Sequence, residues 1–207
     1  MNPFVLIASV ASVIFIVLAI VARVPTYRVA PVFLIPIVWG MVLLRRRLHL
    51  HPAHFALFAL ALVLHDLGAF GFYQRGFFGV SFDVYVHFYF AFAATFLVHR
   101  FLGKSLPLRG WALRLAVVLC IMGFGGVHEV MEYGTYLALP PEQAMLKQDS
   151  YRYDTSRDLT SNLIGVVLAL VCVELASTVT RAGARESPRL SRGLAAHKNE
   201  HESQPSV

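Results

Sequence analysis

The feature that most constrains this chain is its succession of apolar stretches, at 3–22, 30–44, 53–73, 82–102, 111–133 and 159–180. An α-helix crosses a hydrocarbon core of ~30 Å with ~20 consecutive apolar residues, and it satisfies its own backbone polar groups while doing so. The expected fold is therefore all-α: a polytopic transmembrane helical bundle of about six transmembrane helices within 1–180. Hydrophobic residues make up 57% of the chain and charged residues 14%, against roughly 45–50% and about 25% in soluble domains, so water is not its main solvent. The stretch 30–44 is short for a span and contains Pro31 and Pro36, so it is expected to kink or to cross incompletely. Met1-Asn2-Pro3 supplies no basic n-region, and the first stretch is expected to be a permanent helix rather than a cleaved signal.

The formal charge of +6 raises the question of nucleic acid, but the basic residues fall at the ends of apolar stretches and form no aromatic-interleaved run. No nucleic-acid partner is expected. If all six stretches cross, twelve Lys and Arg fall on one side, among them Arg45, Arg46, Arg47, Arg100, Lys104 and Arg109, and six on the other. The positive-inside rule then places both termini in the cytoplasm. Eight of the twelve carboxylates, from Asp66 to Asp158, fall on the opposite, outer side. Residues 181–207 carry few large apolar groups and are expected to be a disordered, basic cytoplasmic tail. Cys120 and Cys172 each lie inside an apolar stretch, so no disulfide framework or CxxC site is available.

An ionisable side chain in hydrocarbon costs at least ~2.5–3.5 kcal/mol, so such groups normally face the bundle interior and pair there. Here they gather near one depth. His65 and Asp66 lie in the outer half of the third stretch, Asp83 and His87 open the fourth at i,i+4, and His128, Glu129 and Glu132 end the fifth beside Gly123, Gly125 and Gly126. Asp154, Asp158 and Asn162 recur every four residues into the sixth and form one stripe if that segment is helical.

Imidazole and carboxylate suit zinc, manganese or iron, and a catalytic site needs only three protein ligands and one open position. The expected metal ligands are His65, His87 and His128 with Asp83 or Glu132. Glu129 is the candidate general base for a metal-bound water, with Asp158 and Arg157 completing the catalytic set. Asp66, Asp154, Asn162 and Arg152 are candidate ligand-binding groups, Arg152 or Arg157 facing a phosphate oxyanion. The same residues would equally serve as interhelical ion pairs that lock a bundle. His49, His51 and His54 form an H-x-H-x-x-H beside Arg45–Arg47, a pattern more usual in a headgroup-level loop than in a metal site. The polar segment after Pro140-Pro141, within a long loop over 134–157, would connect the last two spans or cover the cluster.

The pattern HD, FDVYVHFYFAF, HEVMEY and QDSYRYDTSRDLTSNLIGVVLAL, from His65 to about Ala169, resembles the YjdF-like family of uncharacterised bacterial inner-membrane proteins. More distantly it is similar to VanZ-like proteins, whose final helix shows an acid, a loop arginine and D-x-x-x-N-x-x-G. In this chain these would be Glu129 or Glu132, Arg152 or Arg157, and Asp158, Asn162 and Gly165. The resemblance implies a multi-pass protein of the bacterial inner membrane with an outward polar site, and envelope lipids or lipid-linked intermediates as ligands. The VanZ-like pattern is not rich in histidine and lends nothing to a metal role for His65, His87 and His128. Three functions follow as expectations: binding of an envelope lipid, a metal-dependent hydrolase or transferase acting on it, and a proton-coupled transporter using the carboxylates as relays.

Overall fold

The computed structural model describes residues 3, 6, 9–10, 13–14, 17–18, 21, 30–48, 50–69, 71–138 and 151–202, some of them by backbone alone. Most of the first expected span, and 139–150 of the long loop, lie outside the described residues. The named elements are α1 (Ala30–Leu48), α2 (Pro52–Ala69), a 3-10 turn (Phe72–Gln74), the strands β1 (Gly76–Phe77) and β2 (Val80–Ser81), α3 (Phe82–Ser105), α4 (Gly110–Ala138) and α5 (Tyr151–Glu202). The chain divides into two compact units, Met1–Leu170 and Val171–Val207, and every residue of the site described below belongs to the first.

The expected helical architecture is present. Among the described residues three helices are long and apolar enough to cross a membrane: α3, α4 and Tyr153–Thr180 of α5, with Pro52–Gly68 apolar but shorter. Large apolar side chains on α4 and α5, such as Leu119, Phe124, Val130 and Ile164, are more than half exposed. An apolar surface of that extent suits lipid contact rather than water.

Three boundaries differ from the sequence expectation: α4 runs on to Ala138, through the start of the loop expected over 134–157, and two others differ for a physical reason. The apolar run 53–73 is not one helix: α2 stops at Ala69, and Gly71 at φ 102° turns the chain into the 3-10 turn and hairpin. Only glycine takes that backbone angle without strain. The segment YRYDTSRD, placed in a loop for its polarity, forms the first turns of α5, because a polar stretch is stable as helix when one of its faces meets polar groups on neighbouring helices. Helix α5 is then described as one element through 181–202, the segment whose composition offers no core.

The inner packing is made by Met41 of α1, Phe55 and Phe58 of α2, Ala91 and Ala94 of α3, Val117 and Ile121 of α4 and Val166 of α5. Alanines on α3 let its neighbours approach closely, and Gly165 carries this furthest. A Cβ there would run into the Phe88 carbonyl oxygen of α3. Gly125 of α4 likewise leaves room for Asn162, whose Nδ2 would be 2.6 Å from an added Cβ. The D-x-x-x-N-x-x-G spacing thus brings α5 against both α3 and α4.

At the end of the bundle away from Asp83, arginines terminate helices. Arg100 Nε donates to the Leu48 carbonyl at 2.8 Å, and Arg109 donates to those of Leu108 at 2.7 Å and Gly103 at 3.1 Å. Cations there complement the helix C-termini and satisfy carbonyls that the helices leave open. His51 accepts from the Ala53 N–H at 3.3 Å, and His54 Nδ1 from the His51 N–H at 3.1 Å. These histidines finish the start of α2, a capping role that needs no metal.

Candidate functional site

Asp83 stands in the first turn of α3, where a carboxylate complements the positive end of the helix. His87 follows one turn on, 8% exposed, and Asp158 of α5 reaches the same point fully buried. His87 Nε2 is 3.7 Å from Asp83 Oδ1 and 3.8 Å from Asp158 Oδ2. Arg157 takes the other oxygen of each carboxylate, donating to Asp83 Oδ2 at 3.3 Å and to Asp158 Oδ1 at 3.3 Å, and it also donates to Asp154 Oδ1. Asp158 Oδ2 is buried with no hydrogen-bond partner. One oxygen from each aspartate is therefore left facing the imidazole nitrogen.

These separations decide what the triad can do. They are too long for hydrogen bonds, which lie at ~2.7–3.2 Å. A cation bound at roughly 2.0–2.2 Å from each ligand would hold neighbouring ligand atoms about 3–4 Å apart. All three donor atoms lie within 4.8 Å of one another. Among the described residues this is the one group of three or more His, Cys, Asp or Glu side chains so arranged.

Of the other expected site residues, Asn162 hydrogen-bonds the His87 side chain, and His65, His128 and Glu132 lie nearby. His128 Nε2 pairs with Glu132 Oε1 at 3.3 Å on α4, and its ring centroid is 5.4 Å from that of His87. Glu129 is 6% exposed; the Thr155 side chain faces it, yet neither carboxylate oxygen has a partner at hydrogen-bonding distance. His65 shares a 2.7 Å hydrogen bond with the Tyr73 hydroxyl. Asp66 is fully buried on α2, and Asn162, 3% exposed, lies one turn below Asp158. The side chain of Arg152 lies outside the described residues.

Tyr73 and Thr155 were not singled out from the sequence, whereas Gly125 was, with Gly123 and Gly126, as a point of close helix approach. Tyr73 meets His65 only because the chain reverses after Ala69, and no local pattern signals that pairing. The particular contact of Gly125 with Asn162 depends on the register of α5.

The charge balance also separates two chemistries. Asp83, Asp154 and Asp158 all engage Arg157, and Glu129 and Glu132 on α4 add two more carboxylates beside His128. Such a site is a poor receptor for a bare anion and a good one for a cation.

Residues 3–178 match the model of the family described as Predicted membrane protein (DUF2238), and the chain belongs to that family. The match fits the YjdF-like resemblance and agrees with the membrane residence that the apolar helices indicate. No curated protein and no solved structure matches the chain.

Proposed function

We propose that this DUF2238 membrane protein holds a divalent cation between Asp83, His87 and Asp158 and uses it to engage the phosphate of an envelope lipid or lipid-linked intermediate, as a hydrolase or transferase. The observation that carries this reading is the division of labour among the carboxylate oxygens. Arg157 occupies Asp83 Oδ2 and Asp158 Oδ1, and the remaining oxygens converge with His87 Nε2 at separations suited to a shared cation. Two carboxylates and one imidazole suit manganese, iron or zinc. Asp158 serves here as a ligand rather than a catalytic acid. His65, His128 and Glu132 surround the centre, in place of the three-histidine set expected from the sequence.

When bound, the cation would supply a Lewis acid and the positive charge that the protein side chains lack. Glu129 supports the catalytic side of this reading: a buried carboxylate on the adjoining helix, faced by the Thr155 side chain, is suited to take the proton of an attacking water. Arg157 orients both aspartates, as outer groups around metal ligands commonly do. In this reading the site opens to the outer face of a bacterial inner membrane, with about six spans and both termini in the cytoplasm. Charge asymmetry supports that orientation. The D-x-x-x-N-x-x-G likeness to VanZ-like proteins supports an envelope ligand.

The test is elemental analysis of detergent-purified protein, wild type and His87→Ala, each checked for folding by thermal unfolding. About one manganese, iron or zinc per chain in the wild type, lost from the folded variant, supports the proposal. Metal-free wild type after incubation with each of these ions contradicts it.

A further inference from the structure

We propose that the hairpin β1–β2 is an interfacial anchor whose tip, Phe78, inserts into the lipid leaflet at the Asp83 end of the bundle. The hairpin pairs Gly76 with Ser81 and Phe77 with Val80, leaving Phe78-Gly79 as a two-residue turn. Both turn residues have positive φ, 52° for Phe78 and 76° for Gly79. Turns of this kind favour Asn-Gly, because a side chain with a bulky Cβ substituent is strained in the left-handed region. A phenylalanine there does not help the turn form, and it does not help the core either, since Phe78 is 100% exposed.

The strain is borne by a hairpin that is firmly held. Tyr85 donates to the Phe77 carbonyl at 3.0 Å, and the Phe82 N–H to the Arg75 carbonyl at 3.0 Å. Phe72, Phe77 and Phe82 pack against one another with ring centroids 5.5–6.1 Å apart. Tyr73 packs over Gly68, where an added Cβ would strike its ring. A rigid support presenting one fully exposed aromatic ring implies a partner for that ring.

The bilayer is the occupant that the position selects. The membrane-compatible helix α3 begins at Phe82, four residues beyond the tip, so if α3 spans the bilayer, Phe78 stands beside the end of the span, where hydrocarbon would give way to headgroups. Phe77 and Val80 flank it, 39% and 37% exposed. Arg75 is exposed with its guanidinium 5.0 Å over the Phe72 ring, at the hairpin base. An apolar tip with an arginine beside it matches acyl chain below and lipid phosphate above, the arrangement that aromatic and basic residues adopt at membrane interfaces. The inference rests on membrane residence alone and is independent of any bound cation.

The experiment places a tryptophan at the tip, Phe78→Trp, with Trp39 and Trp111 replaced by phenylalanine, in phosphatidylcholine vesicles. Blue-shifted emission, quenched at least twofold more by lipids brominated high on the acyl chain than by aqueous iodide, is the expected result. Iodide quenching with water-like emission would overturn the proposal, as would emission reached by neither quencher, which marks a protein contact. If the tryptophan-free background does not fold, a nitroxide on Phe78→Cys, with Cys120 and Cys172 changed to serine, gives the same reading. Access to oxygen above a nickel chelate supports lipid insertion, and the reverse overturns it.

Discussion

The two ends of the bundle handle charge in opposite ways. At the basic end each described arginine contact closes on a main-chain carbonyl: Arg100 on Leu48, Arg109 on Gly103 and Leu108. Those contacts complete helix termini, and nothing about them invites a further ligand. At the acidic end Arg157 covers one oxygen of Asp83 and one of Asp158, while Asp158 Oδ2 and both oxygens of Glu129 stay buried without partners at hydrogen-bonding distance. A buried unsatisfied polar group costs about 1–3 kcal/mol, more if charged. A fold that carries several of them on adjoining helices is arranged for something that supplies positive charge. The basic end explains itself through stability and topology, and the acidic end does not.

Substitutions at the two ends sharpen this contrast. His87→Ala should weaken manganese or zinc binding at least ~100-fold while leaving the bundle folded, as read by calorimetric titration in detergent; unchanged affinity would place the cation elsewhere. Gly165→Ala tests the close approach that aligns Asp158 with His87. Its Cβ meets the Phe88 carbonyl, and a loss of about 1–3 kcal/mol in unfolding free energy is expected. Cation affinity should fall with it, since the ligand on α5 is displaced. Arg100→Ala should cost about 1–2 kcal/mol through the Leu48 carbonyl it leaves open at the end of α1 and leave cation affinity unchanged. An affinity change there would mean that the two ends are not separable. The smallest effect is expected of Tyr73→Phe, about 0.5–1.5 kcal/mol for one hydrogen bond to His65, with no effect on cation stoichiometry.

Reading the chain in order made some of this legible. Asp83 and His87 are four residues apart on a helix, so their juxtaposition is local and follows from the sequence. The stripe Asp154, Asp158, Asn162 is equally local once the segment is helical. The roles within the cluster were harder to read, because they depend on which oxygen of each aspartate Arg157 occupies. His65 and His128 have the chemistry of ligands, and their contacts with Tyr73 and Glu132 depend on the tertiary fold. The hairpin was invisible for a simple reason: GFFGVS has neither an Asn-Gly turn nor alternating polarity, and the residues before it extend the apolar run of α2. The lengths of the apolar runs located α1, α3 and most of α4 but ran past the turn at Gly71, where backbone freedom rather than hydropathy ends the element.

The central claim concerns one imidazole and two carboxylates around one cation. Electron–nuclear double resonance on the manganese-loaded protein counts coordinated nitrogens directly. The account predicts coupling to a single histidine nitrogen that disappears in His87→Gln and persists in His65→Gln and His128→Gln. Coupling to two or three nitrogens, or coupling that survives His87→Gln, would contradict it.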